Sequence, residues 1–170
     1  MKKVILFMLV AVLGLTTANA QDHFKAGDKT LSGQLTGFDF SYTKIDKSNK
    51  LNVDLSIYGS YFVIDNLAIT AGVGINSEKQ KDVDGTTGFN FSIGARYYFY
   101  DALYAGVAYK GYQSGEKDAK LESRARIEVG YDYYLSDNVF FEPAIYFEKG
   151  FGDIDKLSQF GLAIGIGVNF

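Results

Sequence analysis

Ten ionisable residues in the chain are all even-numbered: Asp54, Arg96, Lys110, Glu122, Arg124, Arg126, Glu128, Asp132, Glu142 and Glu148. Each lies in a segment whose odd-numbered residues are mostly apolar. In an extended chain, alternate residues share a face, so cations and carboxylates here are gathered on one side of several strands. Such a face could be a proton or ion path, a ligand pocket, or a set of ion pairs filling an enclosed space. Unpaired buried charge is expensive. The third reading therefore leads, with Arg124, Arg126, Glu128 and Glu142 on adjacent strands as its centre and Arg96, Lys110 and Asp132 around it. Asp39 joins the set if the first strand keeps the same parity.

Other candidates for chemistry are thin. The single histidine, His23, stands before the first strand and has no partner pattern around it. Asp82-Val83-Asp84-Gly85 has the opening of a calcium loop, but the ligand spacing is incomplete and no glutamate closes it. It reads as a solvated loop. With no cysteine and no histidine cluster, no metal, cofactor or catalytic residue is expected, and the chain reads as a non-enzyme.

The elements that carry the charges are strands. Leu51, Val53, Leu55, Ile57, Tyr61 and Val63 alternate with Asn52, Asp54, Ser56, Tyr58 and Ser60. Period-two alternation of this kind recurs over 67–76, 89–100, 103–112, 121–135, 139–148 and 160–170. The first strand, about 31–43, is less regular. Leu31 and Leu35 are odd but Phe38, Phe40 and Tyr42 are even, which predicts a bulge near Gly37.

Connections alternate in length. Ile64-Asp65-Asn66, Tyr100-Asp101-Ala102 and Ser136-Asp137-Asn138 are tight turns, and polar segments at 44–50, 77–87, 113–119 and 149–157 separate them. The turn aspartates Asp65, Asp101 and Asp137 stand 36 residues apart. Four strand–loop–strand units joined by three tight turns make eight antiparallel strands in up-and-down order, with both ends of the barrel chain on the tight-turn side.

Residues 1–20 read as a cleaved signal peptide. Lys2 and Lys3 precede the apolar run Val4–Leu15, and Ala18-Asn19-Ala20 is a small-x-small cleavage pattern. Residues 21–29 then form a short periplasmic segment and 30–170 the barrel domain. Without Lys2 and Lys3 there are 15 Lys and Arg against 20 Asp and Glu, a net charge of −5 that argues against a nucleic-acid partner.

Alternation alone does not say which face is outside, because a soluble lipocalin-like carrier also alternates. Four features turn the apolar face toward lipid. Charge in the regular strands is confined to one parity, whereas a Lys or Arg on a lipid face near the midplane costs about 2–4 kcal/mol. The polar parity is rich in Gly, Ala, Ser and Asn, as a narrow interior requires. Aromatic pairs Tyr61/Phe62, Tyr97/Tyr98 and Tyr133/Tyr134 crowd the tight turns, the position of an interfacial girdle. Loops are long at one end and short at the other.

The final stretch, Phe160-Gly-Leu-Ala-Ile-Gly-Ile-Gly-Val-Asn-Phe170, resembles the C-terminal assembly signal of outer-membrane barrels. The chain over 28–170 resembles the small outer membrane protein beta-barrel domain family, of OmpX-like and OmpA-like architecture. Tyr61-Phe-Val-Ile-Asp-Asn-Leu-Ala-Ile, Ala95-Arg-Tyr-Tyr-Phe-Tyr and Gln21 after the cleavage site are similar to versions from Bacteroidota. The resemblance implies a transmembrane β-barrel in the bacterial outer membrane, in contact with its lipid. It also implies insertion by the barrel-assembly machinery acting on the strand that ends at Phe170. The expected barrel is a monomer with a structural or surface-interaction role through its extracellular loops, centred near 47, 82, 116 and 153. A small porin-like pore or carrier is the alternative. Barrel enzymes that remodel lipid A share the scaffold but use a barrel-borne histidine, which this chain lacks.

Overall fold

The computed structural model describes residues 24–36, 50–80, 86–115, 119–155 and 157–170. The signal segment, His23, the bulge near Gly37, Asp39 and the Asp82–Gly85 segment lie outside the described residues.

Nine strands follow one another: β1 Lys29–Thr36, β2 Lys50–Ile64, β3 Leu67–Gln80, β4 Thr86–Tyr100, β5 Leu103–Gln113, β6 Glu122–Tyr131, β7 Tyr133–Tyr134, β8 Val139–Phe151 and β9 Ser158–Asn169. Every neighbour pair is antiparallel, and β1 pairs with both β2 and β9. Strands β6 and β7 both pair with β8 in one continuous register, Gly130 opposite Ala144 and Tyr133 opposite Phe141. They are one stave interrupted at Asp132. The sheet therefore closes as an eight-stave barrel in up-and-down order, which leaves no free edge.

The tight turns fall where the sequence places them. Asn66 (φ 65°) and Asp101 (φ 43°) take the left-handed conformation, which Asn and Asp tolerate better than other side chains. A register shift accompanies each, at Phe62/Ile64 and Tyr98/Tyr100. The third turn is closed by the Leu135 N–H donating to the Val139 carbonyl at 2.8 Å. Both described ends of the chain meet at this side, where the Lys29 N–H donates to the Phe170 carbonyl (3.2 Å) and the Phe170 N–H donates back (3.0 Å).

The strands run further at the other end than the alternation suggested. Ser77 pairs with Thr87 and Glu78 with Thr86, so the expected 77–87 loop is largely hairpin. Residue 50 is likewise strand, and β8 continues to Phe151 before a single 3-10 turn at Gly152–Ile154. Backbone pairing needs no apolar side chain, so a ladder can continue past the point where hydrophobic alternation stops.

The barrel's burial is inverted relative to a water-soluble domain. Glu142 is 0% and Lys110 1% exposed, while Ile57, Ile93, Val107 and Ile127 are 57–59% exposed on the outside. Among the described residues of β1, Leu31 and Leu35 face outward and Thr30, Ser32, Gln34 and Thr36 inward, in the predicted parity. Large inward side chains are housed over inward glycines. A Cβ on Gly72 would sit 2.5 Å from the Tyr58 ring, and one on Gly167 would sit 2.3 Å from Phe140. The interior is packed by matching a ring on one strand to a missing side chain on the next.

Candidate functional site

The even-numbered charges do converge, on the barrel axis. Arg96, from β4, donates through Nε to Glu128 Oε1 at 2.8 Å, and its Nη2 lies 2.9 Å from Glu142 Oε1. Arg126 Nε lies 2.8 Å from the other Glu128 oxygen, so one carboxylate is clamped between guanidinium groups from two strands. Toward the loop end, Lys110 Nζ stands 3.5 Å from Asp54 and 3.4 Å from Glu148. Arg124 reaches Glu148 at 3.5 Å and Glu122 at 2.7 Å. Glu122 is at the rim, its side chain 42% exposed, so it caps the network and is not part of its buried centre.

Asp132 is set apart from these pairs. Its Oδ2 accepts from the Tyr98 hydroxyl at 2.9 Å, and among the described residues no cation lies within ion-pair distance of it.

Neutral side chains complete the network, and these the charge pattern alone did not single out. The Tyr104 hydroxyl (2.8 Å) and Gln34 Nε2 (3.0 Å) donate to Glu142 Oε1. Asp54 Oδ1 accepts from Ser56 at 2.6 Å and Asn90 at 3.1 Å. Guanidinium planes lie on tyrosine rings: Arg124 over Tyr112 and Arg126 over Tyr146, each 4.0 Å to the centroid, and Arg96 over Tyr104 at 4.4 Å. Every one of these tyrosines is even-numbered. The signal that could have found them is the same parity that carries the charges.

The aromatic pairs beside the tight turns need a correction. They were expected as a girdle, but only one member of the first two pairs faces outward. Tyr61 and Tyr97 are about half exposed, while Phe62 and Tyr98 are buried inside with Tyr104. The reason is parity: two consecutive residues of a strand must point to opposite faces. A girdle remains, built from outward rings on both sides of an aliphatic band. Tyr61, Tyr97, Phe99, Phe141 and Phe170 stand toward the tight-turn end, and Phe89 and Phe160 toward the loop end.

The inward rings form a floor that the segment before β1 completes. Phe24 stacks on Tyr98 at 4.1 Å and 20°, and lies 5.7 Å from Phe62. Its carbonyl accepts from the Asn66 N–H (2.7 Å), and the Gly27 N–H donates to the Phe62 carbonyl (2.9 Å). The Ala26 N–H donates to Asp65 Oδ1 at 2.9 Å, tying the same strap to the first tight turn. Nothing in the alternation pointed to Phe24, because it precedes the first strand. Phe24→Ala should lower unfolding stability by about 2 kcal/mol, roughly half the cost of deleting a fully buried phenylalanine. Urea unfolding of protein refolded into lipid vesicles measures it, and a loss below about 0.5 kcal/mol would mean the strap contributes little.

Between floor and mouth, described side chains meet across the lumen. A void of about 10 Å³ among Tyr58, Thr70, Ser92, Arg96, Lys110 and Arg126 is room for a single water. Among the described residues, no group of three His, Cys, Asp or Glu could hold a metal ion.

A closed eight-stave antiparallel barrel has counterparts among solved structures. The N-terminal β-barrel domain of OprF from Pseudomonas aeruginosa is 18% identical, with TM-score 0.59 over 85% of this chain and 98% of that one. Neisserial surface protein A is 13% identical, with TM-score 0.61 over 85% and 98%. The fold is that of the small outer-membrane β-barrels. The attachment invasion locus protein Ail of Yersinia pestis shares it at 12% identity, with TM-score 0.52 over 85% of this chain and 99% of that one. Neither a family model nor a curated protein matches the sequence.

Proposed function

We propose that the protein is a monomeric barrel of the bacterial outer membrane with a structural or surface-interaction role. The closed barrel is the support, and the loops expected near 47, 82, 116 and 153 are what it presents outward. One observation carries this reading: among the described residues most interior charges are paired, while the exterior is an apolar belt flanked by aromatic rings. Soluble monomers rarely expose contiguous apolar patches beyond a few hundred Å², so the belt's natural solvent is lipid. On this reading residues 1–20 direct export, and the tight turns and termini face the periplasm. Phe170, 71% exposed at the end of β9, is available to the barrel-assembly machinery. The ion pairs of Arg96, Lys110, Arg124, Arg126, Glu128, Glu142 and Glu148 then serve to fill and hold the barrel. Two neighbours carry names that speak of the cell surface and attachment, which supports a role at the outer face.

Planar-bilayer recording tests it. The purified barrel should add no stepwise conductance above the lipid background, and should shift mobility on boiling in gel electrophoresis. Steady unit conductance would replace this reading with the small-pore alternative. Recovery in the soluble periplasmic fraction without detergent would replace it with a soluble carrier.

A further inference from the structure

The interior charges do not balance. Among the described residues the buried cations are Arg96, Lys110, Arg124 and Arg126, and the buried carboxylates are Asp54, Glu128, Asp132, Glu142 and Glu148. Four of the five carboxylates have a cation within 4 Å: Asp54 has Lys110, Glu128 has Arg96 and Arg126, Glu142 has Arg96, and Glu148 has Lys110, Arg124 and Arg126. Asp132 is the fifth.

Its place in the register is what matters. Gly130 is opposite Ala144 and Tyr133 opposite Phe141, which sets Asp132 directly across from Glu142. Directly opposed residues of an antiparallel pair have Cβ atoms about 4.5–5.5 Å apart. Both side chains are inward and buried, at 1% and 0% exposure. Each engages one oxygen only. Asp132 Oδ2 accepts from Tyr98, and Glu142 Oε1 accepts from Tyr104 and Gln34 and pairs with Arg96. Asp132 Oδ1 and Glu142 Oε2 are buried with no hydrogen-bond partner.

Two facing carboxyl groups with one idle oxygen each, and one carboxylate more than cations among the described buried residues, are satisfied together by a single proton. We propose that Asp132 and Glu142 share one proton, forming a hydrogen-bonded acid–carboxylate pair that joins the broken β6–β7 stave to β8. The groups facing the pair include Tyr98 and Arg96 from β4, Tyr104 from β5, Glu128 and Arg126 from β6, Tyr134 from β7 and Gln34 from β1. The hydroxyls of Tyr98 and Tyr104 have one proton each, and both are given to the other oxygens. The barrel then carries a pH-sensitive closure at its tight-turn end: loss of the proton sets two carboxylates against each other across the stave.

The linkage has a definite sign. Free carboxyl groups lose their protons near pH 4, so at neutral pH unfolding releases the shared proton. While the pair holds that proton the folded state binds one more than the unfolded chain, and the unfolding equilibrium constant should rise by up to about tenfold per pH unit. Urea unfolding in lipid vesicles from about pH 7.5 to about pH 9, above the ordinary histidine range of roughly 6.5, reads this slope. Asp132→Asn keeps the shape and a donor without the charge, and should flatten it while remaining folded. Infrared difference spectra of the native barrel at neutral pH give an independent readout. They should show the C=O stretch of one protonated carboxyl, absent in Asp132→Asn. A native slope near zero, an unchanged slope in the variant, or no protonated carboxyl band would each overturn the proposal. So would stability that follows sodium concentration at fixed pH, which would put a metal cation where the proton is placed.

Discussion

Arg96→Met should destabilise the folded barrel by about 3–5 kcal/mol, the range for breaking a buried ion pair by removing one partner. The methionine keeps most of the stem volume, so the cost is electrostatic and not that of a cavity. Arg96 serves two carboxylates at once, Glu128 at 2.8 Å and Glu142 at 2.9 Å. Its loss leaves Glu142 with only the neutral donors Tyr104 and Gln34, while Glu128 keeps Arg126. The Tyr104 ring, 4.4 Å below the guanidinium, also loses its cation. The measurement is urea unfolding in vesicles, with the boiling-dependent gel shift as a check that the variant still folds. Adding Glu142→Gln should restore part of the loss, because it removes the charge that Arg96 neutralises. A loss below about 1 kcal/mol for the single variant would mean that water or a relaxed network replaces the pair.

The second large effect is on the outside. Ile127 is 57% exposed in the middle of β6, between Val107 and Phe147 of the flanking strands. Ile127→Arg should cost about 2–4 kcal/mol when the barrel is folded in a bilayer, since the charge then sits near the midplane. Leu121, exposed just before β6 at the loop end, is the depth control. Leu121→Arg should cost about 0–1 kcal/mol. Equal small costs at both positions would remove the belt from the hydrocarbon and with it the membrane reading. The difference between positions is the informative quantity, because it cancels whatever arginine does to the unfolded chain.

These two substitutions probe opposite faces of the same closed sheet, and their contrast shows how much the chain alone could say. Parity is a local property. A residue's neighbours at i±2 decide which face it shares, so the separation of Ile127 from Arg126 and Glu128 was legible without a structure. So were the number of staves and the tight turns at Asp65, Asp101 and Asp137, since each depends on short-range alternation and turn chemistry.

Strand ends were less legible, because hydrophobic alternation stops where the apolar belt stops, and the ladder does not. Ser77, Glu78, Thr86 and Thr87 are paired although none is apolar. The aromatic doublets misled for a related reason. Tyr61-Phe62 and Tyr97-Tyr98 look like one feature in the sequence, but each splits between the girdle and the floor.

What the sequence by itself determined is an all-β chain with one apolar and one charged face, wound in four hairpins. Which cation meets which carboxylate was decided only by the closed barrel. Arg96 and Glu142 are far apart in sequence and on non-adjacent strands, and they meet across the lumen because the closed sheet turns the inward faces of all its staves toward one axis. Phe24 finds its seat on Tyr98 in the same way, since the floor does not exist until the staves have closed. Asp132 shows the division most sharply. Its parity was plain from the start, but its position opposite Glu142, without a cation, depends on the register between two strands and on where every other charge has gone.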